Sequence, residues 1–467
     1  MTEFRIEKDS LGEVRVPKGS YWGAQTQRSI ENFPFESSAH IPFPQEFIRA
    51  LGIVKRACAE VNKDLGLITS EIAQSIIKAA QEVIDGNFSD QFPLMIFQTG
   101  SGTQTNMNIN EVIANRANEI MGGVVGSNRP VHPNDHVNRS QSSNDVIPTA
   151  MHISAVNLIL FSLIPSLKML KDALKRKQEE FRDIVKTGRT HLQDATPITF
   201  GQVFSGYVTQ IEKGIKRVEN ALPHLYELAL GGTAVGTGLN THPEFAKRVA
   251  SEIAKFTEIH FITGDNKFEG LAAHDAIVET SGLLRVVAVS LMKIANDIRW
   301  LGSGPMNGLG ELILPINEPG SSIMPGKVNP TQSESVTQVV AQVIGNDVAI
   351  GFAGSQGNFE LNVFKPIMIY NLLQSIQLLS NVSRNFAKNC ISGLAVNETR
   401  IKEDLEQNLM LITGLTPLIG YEKAAAVAHE AYNTNKTLKE VLLARKVLSE
   451  EEIDAALDPS QMISPRK

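Results

Sequence analysis

The twelve residues from Pro319 to Pro330 carry the side chains best suited to chemistry. They include two glycines, three prolines, two serines, Lys327 and Asn329. Glycine and proline interrupt helices and strands, so a loop is predicted. Asn329 and Pro330 have the form of an N-cap followed by proline at the first helical position, so a helix should begin there. An ammonium, an amide and hydroxyls beside outward-pointing backbone N–H groups favour anion binding.

Three other segments are rich in small polar side chains. They span residues 99–111, 132–145 and 188–197, and each joins apolar helical stretches. Hydroxyls and amides are neutral donors that can bind carboxylates without a large desolvation cost. Any one such segment is more often a turn or a helix cap. Four of them in one chain, with Lys327 as the single lysine among them, favour one shared polar pocket.

Long helices must position these segments. Apolar residues recur at helical spacing through 158–184, 202–228, 272–301, 334–350 and 364–386. In the clearest of these apolar stripes, the residues are separated alternately by four and three positions: Val287, Leu291, Ile294, Ile298 and Leu301. We interpret the stripes as core, which predicts an all-α, mainly helical fold with a central bundle. Apolar residues on several helix faces indicate that bundles from different subunits pack together.

The chain has 467 residues and is too long for one simple core. Three domains are predicted: a mixed and helical domain at 1–145, the central bundle at 146–393, and a small helical domain at 394–467. Val146 to Leu167 lacks charged residues and has the length of a membrane span. It also contains polar residues and two prolines, which argue against a membrane span, and we interpret it as a helix buried inside a large helical assembly.

Composition excludes several classes of protein. A net charge of −6 gives no overall basic field that would attract nucleic acid. Cys58 and Cys390 are far apart and have no metal-binding spacing, which fits a reducing compartment. The first residues lack the apolar core of a signal peptide and the acid-free character of a transit peptide. We therefore expect a cytoplasmic protein with neither membrane nor nucleic-acid partners.

The sequence also lacks the common cofactor motifs. No phosphate-binding loop and no His-Glu-x-x-His is present. The glycine-rich run 231–238 lacks the preceding strand of a dinucleotide site. His132 and His136 are four apart, but Pro133 between them argues against a helical metal pair. We expect no metal and no cofactor, which favours acid–base chemistry by side chains alone.

The loop Gly320–Pro330, which reads GSSIMPGKVNP, resembles the signature loop of the fumarase/aspartase superfamily. The order of the polar segments is the superfamily order along nearly the whole chain. Within the superfamily, the chain is most similar to the cofactor-free, tetrameric class II fumarate hydratases. That similarity rests on four segments of the sequence, residues 231–241, 266–269, 317–319 and 325–327. His136 departs from the pattern, because many relatives carry Asp there.

The resemblance implies reversible anti addition of water to fumarate, giving (S)-malate through an aci-carboxylate dianion. It also implies a homotetramer with active sites shared between subunits. Ser321 would be the base, and Lys327 would stabilise the substrate carboxylate on which negative charge builds. His191, paired with Glu334, would activate the water or protonate the hydroxide. The implied substrate-binding positions are Ser101, Gly102, Thr103, Ser142, Ser143, Asn144, Thr190, Ser322, Lys327, Val328 and Asn329. A second anion site is implied at His132, Pro133, Asn134 and Asp135.

Several alternatives stay open. A serine hydroxyl is weakly acidic, so Ser321 as base would need backbone N–H groups, the helix dipole and Lys327 to stabilise its alkoxide; otherwise it only binds substrate. An aspartate ammonia-lyase would use the same scaffold, base and intermediate. A non-catalytic relative, like the lens crystallins of the superfamily, is a third alternative. A metal- or iron–sulfur-dependent hydratase is disfavoured, because two distant cysteines cannot hold a cluster.

Overall fold

The structure, a computed structural model, describes residues 3–465. Met1, Thr2, Arg466 and Lys467, at the ends of the first and last predicted domains, lie outside the described residues. The α-helices are α1 (Ala24–Asn32), α2 (Gln45–Asp64), α3 (Ser70–Ile84), α4 (Thr103–Ile120), α5 (Ser143–Leu158), α6 (Ile164–Glu180), α7 (Phe200–Leu225), α8 (Phe245–Thr257), α9 (Lys267–Ala272), α10 (Asp275–Leu301), α11 (Thr331–Gly354), α12 (Lys365–Asn389), α13 (Glu398–Gln407), α14 (Thr416–Ile419), α15 (Tyr421–Thr434), α16 (Leu438–Arg445) and α17 (Glu450–Leu457).

The strands are short and form only two-stranded sheets within the described residues. They are β1 (Phe4–Asp9), β2 (Gly12–Pro17), β3 (Val185–Thr190), β4 (Gln193–Thr199), β5 (Glu227–Leu228), β6 (Ile262–Thr263), β7 (Leu312–Ile313), β8 (Gly357–Asn358), β9 (Leu361–Asn362) and β10 (Ala395–Val396). β5 and β6 pair parallel, and the other pairs, β1–β2, β3–β4, β7–β10 and β8–β9, are antiparallel.

The prediction of an all-α, mainly helical fold is confirmed. Each long apolar stripe falls on a long helix: α6, α7, α10, α11 and α12. In α10, Val287, Leu291, Ile294 and Ile298 are each 1% exposed or less. The stripe therefore forms core, because its alternating spacing keeps these side chains on one helix face.

The chain divides into two compact units that interleave along the sequence. The first comprises Met1–Pro165, Lys216–Ala288 and Ala341–Ser380. The second comprises Ser166–Ile215, Val289–Val340 and Asn381–Lys467. The division into three consecutive domains remains a prediction.

In the first unit, α2 packs against α3, α5 and α8. Buried carboxylates hold the start of α1. Glu111, on α4, accepts N–H donors from Gly23, Gln25 and Thr26, at 2.9, 2.8 and 3.2 Å. Gly23, which precedes α1, has no capping side chain. The Glu111 carboxylate therefore supplies the acceptors that the exposed N–H groups of a helix start require.

In the second unit, β3 and β4 form a hairpin, and the C-terminal helices close a small core of their own. This core contains Leu411, Ile412, Leu415, Ala424, Val427, Ala431, Leu438, Val441, Leu442, Ile453 and Ala456. Two of its helices, α16 and α17, begin with capping boxes at Thr437 and Ser449. These caps satisfy N–H groups that otherwise lack partners in helices of only two turns.

Two helical stretches within residues 3–465 are long and apolar enough to cross a membrane, by length and composition alone. They are Ser143–Glu180 and Thr331–Gly354. In the first stretch, which contains the segment from Val146 to Leu167, 56% of the most apolar window is buried. Core helices of large helical proteins pass the same test.

Candidate active site

The start of α5 carries three of the predicted binding residues: Ser142, Ser143 and Asn144. Ser142 is the N-cap, and its hydroxyl accepts the N–H of Asn144 at 3.2 Å. The Asp145 carboxylate accepts the N–H of Ser142 at 2.9 Å, which completes a capping box. The three binding residues are half-buried, so this helix start remains open to a ligand.

Asp145 also fixes the glycine-rich run 231–238 against α5. Its second carboxylate oxygen accepts the N–H groups of Gly231 and Thr233, at 3.0 and 2.8 Å. Asn144 donates to the carbonyl of Ala234 at 2.7 Å. Burial raises the pKa of Asp145 to about 6. The run therefore positions the predicted binding residues.

The start of α4 carries Ser101, Gly102 and Thr103. The hydroxyls of Ser101 and Thr103 lie 2.8 Å apart and share a hydrogen bond. Gly102 has a φ of 75°, a left-handed conformation that side chains disfavour, and it serves as the N-cap. Gly100, just before, packs so tightly on the carbonyl of Val363 that no Cβ would fit.

The starts of α4 and α5 lie side by side. Asn106 in α4 donates to the Ser143 hydroxyl at 3.1 Å. A Cβ on Gly102 would lie 2.9 Å from the side chain of Ile147 in α5. The first unit therefore brings together two of the four polar segments predicted to share a pocket.

The residues of the implied second anion site form a short helical turn, Pro133–Val137. His132 is its N-cap, and its Nδ1 accepts the N–H groups of Asn134 and Asp135, each at 3.2 Å. Pro133 thus starts a helical turn, since proline at the first position loses no hydrogen bond. A cleft of about 520 Å³ runs past Asn134 and Asp135 to Ser142.

His136 takes part in this turn, and its Nδ1 accepts the N–H of His132 at 2.9 Å. Burial lowers the pKa of His136. A neutral imidazole can accept this hydrogen bond, as a carboxylate could. The helical turn therefore does not depend on a carboxylate at this position.

Thr190 and His191 lie at the tip of the β3–β4 hairpin in the second unit. His191 and Leu192 form its two-residue turn and have φ values of 57° and 62°. Thr190 pairs with Gln193 across the turn. Residues other than Gly, Asn, Asp and His rarely adopt this conformation, so Leu192 is the strained position of the turn. The strained turn holds the His191 imidazole out in solvent.

A buried charge cluster anchors this hairpin. The carboxylate of Glu311 is 1% exposed and forms ion pairs with Arg189 and with Lys186, the latter at 3.0 Å. Asp404 adds a longer contact of 3.7 Å to Arg189. Burial lowers the pKa of Lys186. Two cations around one carboxylate fix the strand that leads into Thr190.

The serine loop, which we define as residues 320–329, folds back on itself. The N–H of Gly320 donates to the carbonyl of Lys327 at 2.9 Å. The Ser321 hydroxyl oxygen accepts the N–H groups of Ile323 and Met324, at 3.2 and 2.9 Å. Oriented backbone N–H groups of this kind favour negative charge on the oxygen that they surround.

The prediction that Asn329 caps the following helix is wrong in detail. α11 begins at Thr331, and the Asn329 amide donates to the carbonyl of Gly320 at 2.6 Å. The carbonyl of Pro330 accepts the first helical hydrogen bond, from Glu334 at 3.0 Å. Closing the loop takes the amide away from the helix end.

The remaining predicted residues of the second unit are accessible. Ser322, Lys327 and Val328 are exposed, and Glu334 is half-buried on the first turn of α11. Within residues 3–465 of one chain, no hydrogen bond or ion pair joins Glu334 to His191. The predicted pairing of these two residues therefore stays a prediction.

Several residues that the sequence analysis did not single out support the first unit's polar segments. Asn106, Asn138 and Gln141 link α4 to the loop before α5, and all three hydrogen-bond to the buried Lys55. The amides lie inside polar segments and could have been found there. Lys55 lies in the middle of a helical pattern and gives no such signal. Within residues 3–465, no three His, Cys, Asp or Glu side chains are grouped as metal ligands would be.

Comparison with known proteins shows which family the chain resembles. A family model described as "Lyase" matches residues 12–345, and one described as "Fumarase C C-terminus" matches residues 411–464. The class II fumarate hydratase of Nitrosomonas europaea is 57% identical over 99% of each chain. The mitochondrial fumarate hydratase of Dictyostelium discoideum is 58% identical over 100% of this chain and 96% of its own.

Comparison with solved structures supports the same family as the sequence comparisons. The crystal structure of class II fumarase from Schistosoma mansoni superposes with a TM-score of 0.97, at 42% identity and with all of both chains covered. The similarity thus spans both compact units and every segment of the candidate site. The chain belongs to the fumarase/aspartase superfamily of lyases and, within it, to the class II fumarate hydratase family.

Proposed function

We propose that this protein catalyses the reversible hydration of fumarate to (S)-malate, a step of the tricarboxylic acid cycle. The reaction would proceed by acid–base catalysis through an aci-carboxylate intermediate, with no cofactor. The observation that carries the mechanism is the pair of N–H donors on the Ser321 oxygen. They supply the stabilisation that a serine alkoxide requires if it is to remove a proton from carbon.

The other side chains of the serine loop suit the charge that develops on substrate. Proton removal next to a carboxylate places a second negative charge on its oxygens, and stabilising that charge is the largest task. Lys327 offers an ammonium. Asn329 has two amide N–H donors, one of which is committed to Gly320, so the other is open to a carboxylate oxygen.

The hydroxyls and amide at the starts of α4 and α5 would bind and orient the dicarboxylate. They are Ser101, Thr103, Ser142, Ser143 and Asn144, with Thr190 from the hairpin. His191, beside Thr190, would deliver or accept the proton of water, since histidine exchanges protons near neutral pH. Glu334 would orient its ring.

We also propose a homotetramer in which different subunits complete each site. The support is an apolar face on α11, where Ile344, Val348 and Phe352 recur every four residues and are 39%, 67% and 63% exposed. An exposed apolar stripe on a long helix is typical of a surface covered by another chain. Copies of this chain are the natural occupants, because the predicted catalytic residues lie on separate segments.

Two variants test the chemistry. Ser321→Ala and His191→Asn should each lower turnover about 1,000-fold or more while leaving assembly intact. Fumarate formation is followed by absorbance, with malate and then aspartate as substrate, and with a chelator present. Near-normal turnover by Ser321→Ala would show that another group is the base. Activity on aspartate alone would establish the ammonia-lyase alternative, and no turnover of any dicarboxylate would favour the non-catalytic one.

Subunit mixing tests the shared site. Ser143→Ala and Ser321→Ala change different polar segments, so some mixed tetramers would contain intact sites. Mixing the two variants under conditions of subunit exchange should raise the activity above that of either variant alone. A mixture no more active than the better variant, with exchange confirmed by mass spectrometry, would contradict sharing. We place the protein in the cytoplasm, and fractionation of the source cells would check this.

A further inference from the structure

A fully buried lysine lies beneath the start of α5. Lys55, in α2, is 0% exposed. Its Nζ donates to the amide oxygens of Asn106, Gln141 and Asn138, at 2.7, 2.8 and 3.0 Å. An ammonium has three N–H donors and no acceptor, so each of its protons meets an oxygen. This arrangement suits the charged form of the side chain.

The neighbouring hydrogen bonds fix the orientation of each amide. The NH₂ group of Asn106 donates to the Ser143 hydroxyl at 3.1 Å. That of Gln141 donates to two main-chain carbonyls, at 2.9 and 3.0 Å. That of Asn138 donates to the carbonyl of Gln141 at 3.1 Å. Reversing any amide would turn its N–H groups toward the ammonium, so the oxygens must face Lys55.

No ion pair balances this charge. Among the described residues, no carboxylate lies within 4 Å of the Lys55 ammonium. The ionisable groups whose charges act on it are Cys58 and Asp145. Burial raises the pKa of the Cys58 thiol, which stays neutral. Asp145 is held by backbone N–H groups. An unpaired buried ammonium is costly, and burial lowers the pKa of Lys55 to about 7.

We propose that Lys55 is a positioning residue and a buried positive charge for the dicarboxylate bound at the start of α5, an inference that rests on the proposed function. Through Asn106 it orients the Ser143 hydroxyl, and through Gln141 it holds the backbone that enters Ser142. The Lys55 ammonium is separated from the Ser143 oxygen by one amide and two hydrogen bonds. A bound dianion supplies the counter-charge that the protein leaves out.

Because protonation of Lys55 and binding of a dicarboxylate are thermodynamically linked, the inference predicts the direction in which affinity changes with pH. A dianion stabilises the protonated lysine, so the pKa of Lys55 rises when the ligand binds. Affinity for a dicarboxylate is therefore highest below the pKa of the free protein. It falls as pH rises through about 7 and on through the pKa of the complex. A lysine that served only packing would show no such dependence.

The test uses succinate, an unreactive dicarboxylate, titrated calorimetrically into the full-length protein from pH 6.5 to 8.5. Wild-type affinity should fall about tenfold over this range. Lys55→Met should bind about tenfold more weakly at pH 6.5 and should lose most of the pH dependence. Its KM for fumarate should rise with little change in kcat. Lys177→Met is the matched control, because Lys177 is also buried (7% exposed) but donates to Leu394 and Glu180.

The outcomes separate the two proposals. An active Lys55→Met enzyme that keeps wild-type affinity and the wild-type pH profile would overturn the role of Lys55. A wild-type protein that binds succinate but does not hydrate fumarate would overturn the proposed function alone. If Lys55→Met does not fold, Asn106→Leu tests the same link while keeping the lysine. It should weaken succinate binding several-fold, and wild-type binding would overturn the inference.

Discussion

Gly100 should be essential to the site although it carries no functional group. It precedes Ser101, and its backbone φ is not left-handed, so alanine would cause no conformational strain there. A Cβ at this position would lie 1.3 Å from the carbonyl oxygen of Val363 and 2.2 Å from its carbon. Because both neighbours are backbone atoms, no side-chain rotation can relieve the overlap.

The size of the effect follows from this geometry. Ordinary contact needs about 3.5 Å, so the two backbone segments must move apart by about 2 Å. That movement breaks the hydrogen bond from the Lys365 N–H to the Gly100 carbonyl, 3.2 Å long. Overpacking and the lost bond together should cost about 2–4 kcal/mol of unfolding free energy. Misplacing Ser101 and Thr103 by about 1 Å should lower kcat/KM about 100-fold.

The assay compares Gly100→Ala with Gly19→Ala by urea unfolding and by kcat/KM for fumarate hydration. Gly19 is exposed, is not left-handed and has no atom within 4 Å of an added Cβ, so its variant should behave as wild type. A Gly100→Ala protein with wild-type stability and kcat/KM would refute the steric argument.

Three further predictions concern other parts of the chain. Glu311→Gln should lower the free energy of unfolding by about 3 kcal/mol, because Lys186 and Arg189 lose their shared buried anion; an unchanged urea midpoint would contradict this. Leu192→Gly should stabilise the protein by about 0.5–1 kcal/mol by relieving the left-handed turn, and a lower melting temperature would count against it. Burial raises the pKa of Glu111 to about 7, so between pH 4.5 and 7 the folded state holds a proton that the unfolded state has lost. The free energy of unfolding should therefore fall by up to about 3 kcal/mol as pH rises through that window, and Glu111→Gln should flatten this slope in urea unfolding; an equally steep slope would disprove the assignment.

The long helices were predictable because burial selects side chains on one face. Val287, Leu291, Ile294 and Ile298 follow the helical repeat and are buried. Predicted helix ends were less accurate. The stripe at 202–228 corresponds to a helix ending at Leu225, where the chain turns into β5. Periodicity reports the buried face, whereas caps and turns decide where a helix stops.

The hairpin that carries His191 could not be read from local residue types. Two-residue turns with left-handed φ usually contain Gly, Asn or Asp, and this one contains His191 and Leu192. Contacts distant in sequence hold it, through Glu311 and the strand before Thr190. Lys55 was missed for a related reason, because its acceptors lie 51 to 86 residues away.

The cysteines have a practical consequence. Cys58 and Cys390 are both buried, and burial raises the pKa of the Cys390 thiol to about 12. Neutral, inaccessible thiols react slowly with maleimides. A new cysteine at Ile323, whose side chain is 83% exposed, would therefore label selectively against the native background. A fluorophore there would show whether the surroundings of the serine loop change when substrate binds, with the native core left unaltered.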